Sequence, residues 1–507
     1  MSSAQSAAPS VHDRSFFGHP AGLSTLFFTE MWERFSYYGM RAILTLYMTK
    51  TFAEGGLGFD EKYASIIYAT YVSSVWYLPL VGGWLADRVF GARRAVFIGG
   101  IIIACGHYSM AINSHLTFYA GLILIACGTG LLKPNISAMV GQLYSEQDKR
   151  RDTGFSIFYM GINLGAFLSP LVVGFLAQSA GFRNFISSMG FNPNSSWHWG
   201  FGAAGVGMTL GLIQYVLGRK RLATVGNRPE AVKVMAETRV GVDYMTLVLA
   251  VVGGIAGAAL GIYFGEAGVL SALFPCVVGF FAGYLLGTTR LLNGDELKRV
   301  LVIFILFVFS ILFWMTYEQA GSSLTLFADR LTRTSFLGWE YPSSWFQSVP
   351  AIFVIILAPI IGAVWQQLGD RQPSSPGKFT IGLFFAGIAF IVIAFASTLT
   401  LNGRVSPMWL VSVYFLQTIG ELCLSPVGLS TVTKLSPARM VGLMMGVWFL
   451  SISIGSYIAG LTTRLFEGND PAVLTRAFGV FAGITLIAAV ILAVLTPLIR
   501  KMTPRSV

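Results

Sequence analysis

The residues of this chain best able to do chemistry are ionisable ones that stand inside apolar runs. Glu30, Glu33, Arg34 and Arg41 fall in one run, Lys133 in a second, Glu318 in a third and Glu421 in a fourth. In hydrocarbon each such group costs roughly 2.5–3.5 kcal/mol at a helix centre, so it is kept only where it faces protein or water. At about 100° per residue, Glu30, Arg34, Tyr37 and Arg41 come within roughly 60° of one another on a helix, flanked by Glu33 and Tyr38. The i,i+4 spacing lets Glu30 and Arg34 pair, whereas the sequence neighbours Glu33 and Arg34 are expected not to face each other. A carboxylate in low dielectric holds its proton more tightly, and a guanidinium beside it loosens that hold. Two carboxylates around an arginine can therefore load and release a proton as their partners move. That is what coupling to a proton gradient requires, and the sequence leaves open which Glu carries the proton.

The remaining charges divide between two halves of the chain. Lys133 stands beside Pro134 in Gly130-Leu131-Leu132-Lys133-Pro134-Asn135, and Glu318 in Trp314-Met315-Thr316-Tyr317-Glu318-Gln319. Coming from opposite halves, they can form a latch made in only one access state. Glu421, in Gly420-Glu421-Leu422-Cys423-Leu424-Ser425-Pro426, suits an ammonium group. The first half is thus basic at its centre (Arg34, Arg41, Lys133) and the second acidic (Glu318, Glu421). A zwitterion with separated ends fits that division better than a sugar or a simple anion. Tyr37, Tyr71, Trp76, Trp314 and Trp448 are candidates to line side-chain pockets, although each type also serves as packing or as an interfacial anchor.

Membrane-spanning helices are the elements that must position these groups. Of 507 residues 54% are hydrophobic and 11% charged, with mean hydropathy +0.68. A soluble protein carries roughly 25% charged residues, so a water-facing shell cannot be built here. Apolar stretches of about 20 residues number about fourteen, and runs such as Val302–Ile311 do not alternate as barrel strands do. The expected fold is all-α and membrane-embedded, with twelve core helices in two six-helix bundles plus a two-helix hairpin. The divisions are a first bundle over 1–218, a basic linker over 219–242, a hairpin and linker over 243–298, and a second bundle over 299–507. The hairpin is nearly free of charge, with Glu266 between its spans.

Arg93, Arg94, Lys149, Arg219, Lys220, Arg500 and other basic residues cluster in alternate loops, which places those loops and both termini in the cytoplasm. The same spread accounts for the net charge of +11 and argues against a nucleic-acid partner. The four cysteines fall inside spans with neither disulfide nor metal-ligand spacing, and residues 1–20 carry no apolar run of the kind a signal peptide needs. Ile162-Asn163-Leu164-Gly165-Ala166-Phe167 is echoed by Ile452-Ser453-Ile454-Gly455-Ser456-Tyr457 at the same ordinal position in the second half, a repeat typical of transporters. A weaker echo links Gly83-Trp84-Leu85-Ala86-Asp87-Arg88 to Gly369-Asp370-Arg371.

The loop from Gly82 through Arg94 resembles the signature loop of the major facilitator superfamily. Glu30-Met31-Trp32-Glu33-Arg34 resembles the E-x-x-E-R motif of the proton-dependent oligopeptide transporter family within it. Phe155 through Gly165, Gly128 through Asn135, Tyr317-Glu318-Gln319 and Gly420 through Gly428 are similar to further motifs of that family, in order. The resemblance implies a bacterial symporter of protons with di- and tripeptides. By it, Arg41 and Lys133 hold the peptide carboxylate, Glu421 the amino terminus, and Asn163 the peptide backbone. Glu30, Glu33 and Arg34 form the proton-coupling cluster, with Lys133–Glu318 as the switching salt bridge and Glu318 taking part in coupling. Tyr37, Tyr38, Tyr71, Trp76, Trp314, Ser425 and Trp448 shape the substrate site. Two positions depart from the family pattern: Trp76 stands where a tyrosine is common, and Pro350 near an expected asparagine.

The same fold carrying nitrate, a glucoside or a drug-like molecule is the alternative, though nitrate would leave Glu421 facing an anion. An enzyme is not expected, because His12, His19, His107, His115 and His198 sit in tails or at span ends with no nucleophile motif. No cofactor or metal is expected. The partners are the peptide, protons and the lipid of a bacterial inner membrane, with the monomer as working unit.

Overall fold

The computed structural model describes residues 15–145, 148, 150–223, 225–227, 243–264, 269–336, 338–437, 440–466 and 468–503. His12, Lys149, Glu266 and positions 224 and 228–242 of the basic linker lie outside them, as do the side chains of Asp87, Arg88 and Asp370.

Within these residues the helices run α1 (Ala21–Thr49), α2 (Glu61–Leu85), α3 (Ala92–Met110), α4 (His115–Gln142), α5 (Arg151–Gln178), α6 (Ala180–Ser188), α7 (Ser196–Gly218), α8 (Tyr244–Phe264) and α9 (Val269–Thr289). They continue as α10 (Gly294–Tyr317), α11 (Ser323–Leu331), α12 (Val349–Leu368), α13 (Ser375–Leu399), α14 (Met408–Leu435), α15 (Val441–Thr462) and α16 (Pro471–Met502). Fourteen are at least 19 residues long, and α6 and α11 are nine-residue pieces. Twelve segments are both long and apolar enough to cross a membrane. The other two long helices are α1, which carries Glu30, Glu33, Arg34 and Arg41, and α3, which opens beside Arg93 and Arg94. The groups that make α1 interesting are those that dilute its apolar signature. The chain is a multi-pass membrane protein.

One span departs from the expectation. The seventh core span reads as continuous over 300–327, but α10 ends at Tyr317 and a tight 3-10 turn, Glu318–Gly321, intervenes before α11. The Gln319 side chain explains the break. It accepts hydrogen bonds from Ser322 and Ser323 (3.3 and 2.6 Å) and donates to the Ala459 carbonyl at 3.1 Å. Local side-chain bonds of this kind compete with a regular helix. Glu318 therefore sits at the C-cap of α10.

Contacts divide the chain into two compact units that do not follow chain order. The first takes residues up to Gly58, Tyr77–Val232 and Thr334–Ile355, and the second Phe59–Trp76, Lys233–Arg333 and Ile356–Val507. In the first unit the 3-10 helix Ser343–Ser348 is tied to α5. Gln178 donates to Ser343 Oγ at 3.0 Å and accepts from the Ser344 amide at 3.1 Å, while Trp345 Nε1 and Ser348 Oγ donate to the Leu171 and Phe167 carbonyls. In the second unit Ser453 Oγ donates to the Ser73 carbonyl at 2.8 Å, and Arg330 pairs with Glu61 at 2.5 Å.

The internal repeat has a packing meaning. A Cβ on Gly165 of α5 would stand 2.2 Å from the Met31 carbonyl oxygen and 3.1 Å from Arg34 Cβ on α1. A Cβ on Gly455 of α15 would stand 2.6 Å from Trp314 Cβ and 3.0 Å from the Ile311 oxygen on α10. Each glycine lets its helix lie directly on the first core helix of its own unit, as small residues do in membranes. Helices α8 and α9 form the expected hairpin, interlocked where Gly253 meets Gly279 and Gly257 meets Pro275. Only 22% and 33% of their apolar windows are buried, against about half for most other spans, so the pair presents its outer faces to lipid.

Candidate functional site

In the first unit α1 brings its charges together. Arg34 Nε pairs with Glu30 Oε1 at 3.1 Å, as the i,i+4 spacing predicts. It also donates to Glu33 Oε2, and this corrects the expectation that the two neighbours point apart. Their Cα–Cβ bonds do diverge, but both side chains are long, and full burial leaves each charge no better partner, so they fold back toward each other. Glu30, Glu33 and Arg34 are 2%, 0% and 3% exposed, so this is a desolvated cluster. Glu30 Oε2, Glu33 Oε1 and Arg34 Nη2 have no hydrogen-bond partner among the described residues. The Arg34 guanidinium carbon lies 5.4 Å from the Tyr37 ring centroid, and Tyr37 packs edge-on to Tyr38 at 5.2 Å. A cation over an aromatic face gains roughly 2 kcal/mol when desolvated.

Lys133 on α4 is within electrostatic reach of Glu30, so it joins the α1 cluster. Pro134 does not interrupt α4, which runs on to Gln142. It does remove the amide that would bond the Gly130 carbonyl, and that carbonyl lies where a Cβ on Gly82 of α2 would be only 2.0 Å away. Lys133 is thereby held where α4 presses against α2. Arg41 is buried further along α1. Asn163 on α5 is 7% exposed, and its amide donates to the Tyr159 carbonyl one turn back at 2.9 Å.

The second unit holds a different set. Glu421 on α14 accepts a 2.6 Å hydrogen bond from the Tyr317 hydroxyl, and Glu318 lies close enough for the two carboxylates to repel. Trp314 completes the patch, with its ring 5.3 Å from Tyr317. Trp76 stacks on Phe449 at 6.4 Å and Tyr71 is buried on the same segment. Trp448 is 1% exposed and fills the space over Gly428, where a Cβ would meet its ring at 2.0 Å. Ser425 is half-buried one turn beyond Glu421.

Tyr317 was visible in the sequence only as part of a motif. Its spacing to Glu421 is across helices, and no local pattern announces a contact 104 residues away. The Gln319 knot was equally silent, because glutamine beside small residues is a common string.

Comparison with known proteins gives the chain its relatives. A sequence profile of the POT family matches residues 93–476. The peptide transporter YePEPT of Yersinia enterocolitica is 39% identical over 96% of this chain and 96% of its own length. A di-/tripeptide transporter of Lactococcus lactis subsp. cremoris is 36% identical over 94% and 96%. Among solved structures, a peptide transporter POT in complex with sulfate superposes with a TM-score of 0.83 at 43% identity, covering 98% of each chain.

Proposed function

This chain belongs to the POT family, and from that membership we propose that it is a proton-coupled symporter importing di- and tripeptides by alternating access. The observation that carries the reading is the α1 cluster, in which two buried carboxylates share one guanidinium and each keeps an oxygen without a hydrogen-bond partner among the described residues. Arg34 and Lys133 both act on these carboxylates, so a proton can take over from either cation when it moves away. Where the partner of Arg34 changes, the proton affinity of the remaining carboxylate changes with it. That relatives of this chain are a peptide transporter and a di-/tripeptide transporter supports the substrate class.

The roles follow the resemblance. Arg41 and Lys133 take the peptide carboxylate, Glu421 the ammonium group, and Asn163 the backbone. Lys133 and Glu318 act as the switching pair, with Glu318 joining Glu30, Glu33 and Arg34 in coupling. Tyr37, Tyr38, Tyr71, Trp76, Trp314, Ser425 and Trp448 shape the pockets. The working protein is a monomer in a bacterial inner membrane with both termini cytoplasmic. It needs no cofactor and catalyses no covalent step. The test is uptake of labelled dialanine into proteoliposomes under an inward proton gradient, with and without a protonophore. Uptake that collapses with the protonophore is expected. No uptake of dialanine, of tripeptides or of a peptide mixture would overturn the substrate assignment.

A further inference from the structure

Within the second unit a cavity of about 970 Å³ gathers four cations. Arg371 comes from the turn before α13, Lys378 from the first turn of α13, Lys434 from the end of α14 and Arg500 from the end of α16. The start of α13 also opens onto it. Its N-cap Ser374 makes no side-chain capping bond, and α13 is 25 residues long, so the positive end of its dipole faces the cavity. Ser430 and Thr431 add hydroxyls, and Val302 and Leu306 of α10 form an apolar wall.

Basic residues at span ends are ordinary in a membrane protein, and Arg371, Lys434 and Arg500 are exposed as such residues usually are. Here four converge on one concavity, with Lys378 and Lys434 near enough to repel. Lys378 Nζ donates to Gln372 Oε1 at 2.7 Å and lies 4.8 Å from the Trp365 ring centroid. Among the described residues, no carboxylate pairs with any of the four. The first unit offers a contrast. Arg93, Arg94 and Arg219 line a cavity of about 620 Å³ there. There the Arg93 guanidinium donates to the Ala223 carbonyl at 2.7 Å, so one of its three cations is met by the backbone of the basic linker.

We propose that the second-unit cavity binds a phosphate-bearing anion. Two guanidiniums can each present paired donors to phosphate oxygens, two ammonium groups add point charge, and the α13 dipole adds to the positive field. The phosphate belongs either to the headgroup of an anionic phospholipid or to a soluble compound. Basic pockets between transmembrane helices are suited to such headgroups.

The test uses the full-length protein in neutral detergent, following thermal unfolding by tryptophan fluorescence. One titration is inorganic phosphate against chloride at constant ionic strength, and another is short-chain phosphatidylglycerol against phosphatidylcholine. The doubly substituted Lys434→Gln, Arg500→Gln variant is run beside them. Both residues are exposed at helix ends, and a Lys434→Arg, Arg500→Lys variant preserves the charge if folding is in question. A saturable rise in unfolding temperature is expected, with apparent affinity weakened roughly tenfold or more in the glutamine variant and largely kept in the charge-preserving one. A rise with both ligands identifies the phosphate group itself as what is read. A rise with phosphatidylglycerol alone assigns the headgroup, and one with phosphate alone a soluble anion. No saturable shift with either ligand, or a shift unchanged by the glutamine substitutions, overturns the proposal.

Discussion

The crossing of α5 on α1 and the crossing of α15 on α10 are built on the same device, yet they carry opposite chemistry. Gly165 admits the α1 backbone at Met31 and Arg34, and Gly455 admits α10 at Ile311 and Trp314. Around the first crossing lies a buried ion cluster in which Arg34 pairs with both α1 carboxylates. Around the second lie aromatic rings and a carboxylate, Glu421, held by a tyrosine hydroxyl. The repeat thus preserves the packing frame while the charges on it diverge. A carboxylate beside its own arginine is suited to hold or lose a proton. Glu421, met by a hydroxyl rather than a guanidinium, is open to a cation that arrives from outside.

Breaking the first cluster gives the largest effect. Arg34→Met leaves two buried carboxylates without their cation, and uncompensated buried charge costs about 3–5 kcal/mol. The unfolding temperature in detergent should drop sharply, and adding Glu30→Gln and Glu33→Gln should restore most of it. If Arg34→Met alone unfolds like the parent, the cluster is not the compensated unit described here.

Gly165→Ala and Gly455→Ala sharpen the comparison. Each adds a methyl where a backbone or Cβ atom already stands, a cost of about 1–3 kcal/mol. Stability should fall similarly in both, but proton-driven uptake should suffer more from Gly165→Ala, because that crossing holds Arg34. Equal loss of uptake would mean that the glycines act only as frame.

Glu421→Gln removes the charge on the other side of the comparison. A charge-assisted contact contributes about 1.5–3 kcal/mol, so KM for dialanine should rise roughly tenfold or more. Tyr317→Phe should weaken transport less, since the Glu421 carboxyl itself is retained. An unchanged KM in Glu421→Gln would remove the ammonium role.

The smallest effect lies outside the membrane. His19 bonds the Tyr144 hydroxyl at 2.9 Å, and burial, then the nearby Arg150 charge, hold its pKa below the usual 6.5. Unfolded, it takes up a proton near 6.5, whereas folded it does so only at lower pH. Stability should therefore decline as pH falls from 6.5 toward the folded value, and His19→Gln should flatten that part of the profile.

Much of this was legible in the sequence, for physical reasons. Charge in an apolar run is conspicuous because lipid makes it costly, so α1, Lys133, Glu318 and Glu421 stood out. The Gly165 and Gly455 strings marked a repeat because a side chain at either position would crowd the facing helix. Three features were not legible. The Arg34–Glu33 pair depends on side-chain reach rather than helical phase. The end of α10 depends on Gln319 bonding outside its own helix. The Tyr317–Glu421 bond joins helices whose spacing no local pattern encodes.

The central claim is that the α1 carboxylates couple the proton to the peptide. Net uptake of labelled dialanine under an inward proton gradient should be measured beside gradient-free exchange of labelled for unlabelled dialanine, in the parent, Glu30→Gln and Glu33→Gln. At least one variant should lose driven uptake while keeping exchange. Driven uptake retained in both variants, or driven uptake and exchange lost together in both, would contradict the account.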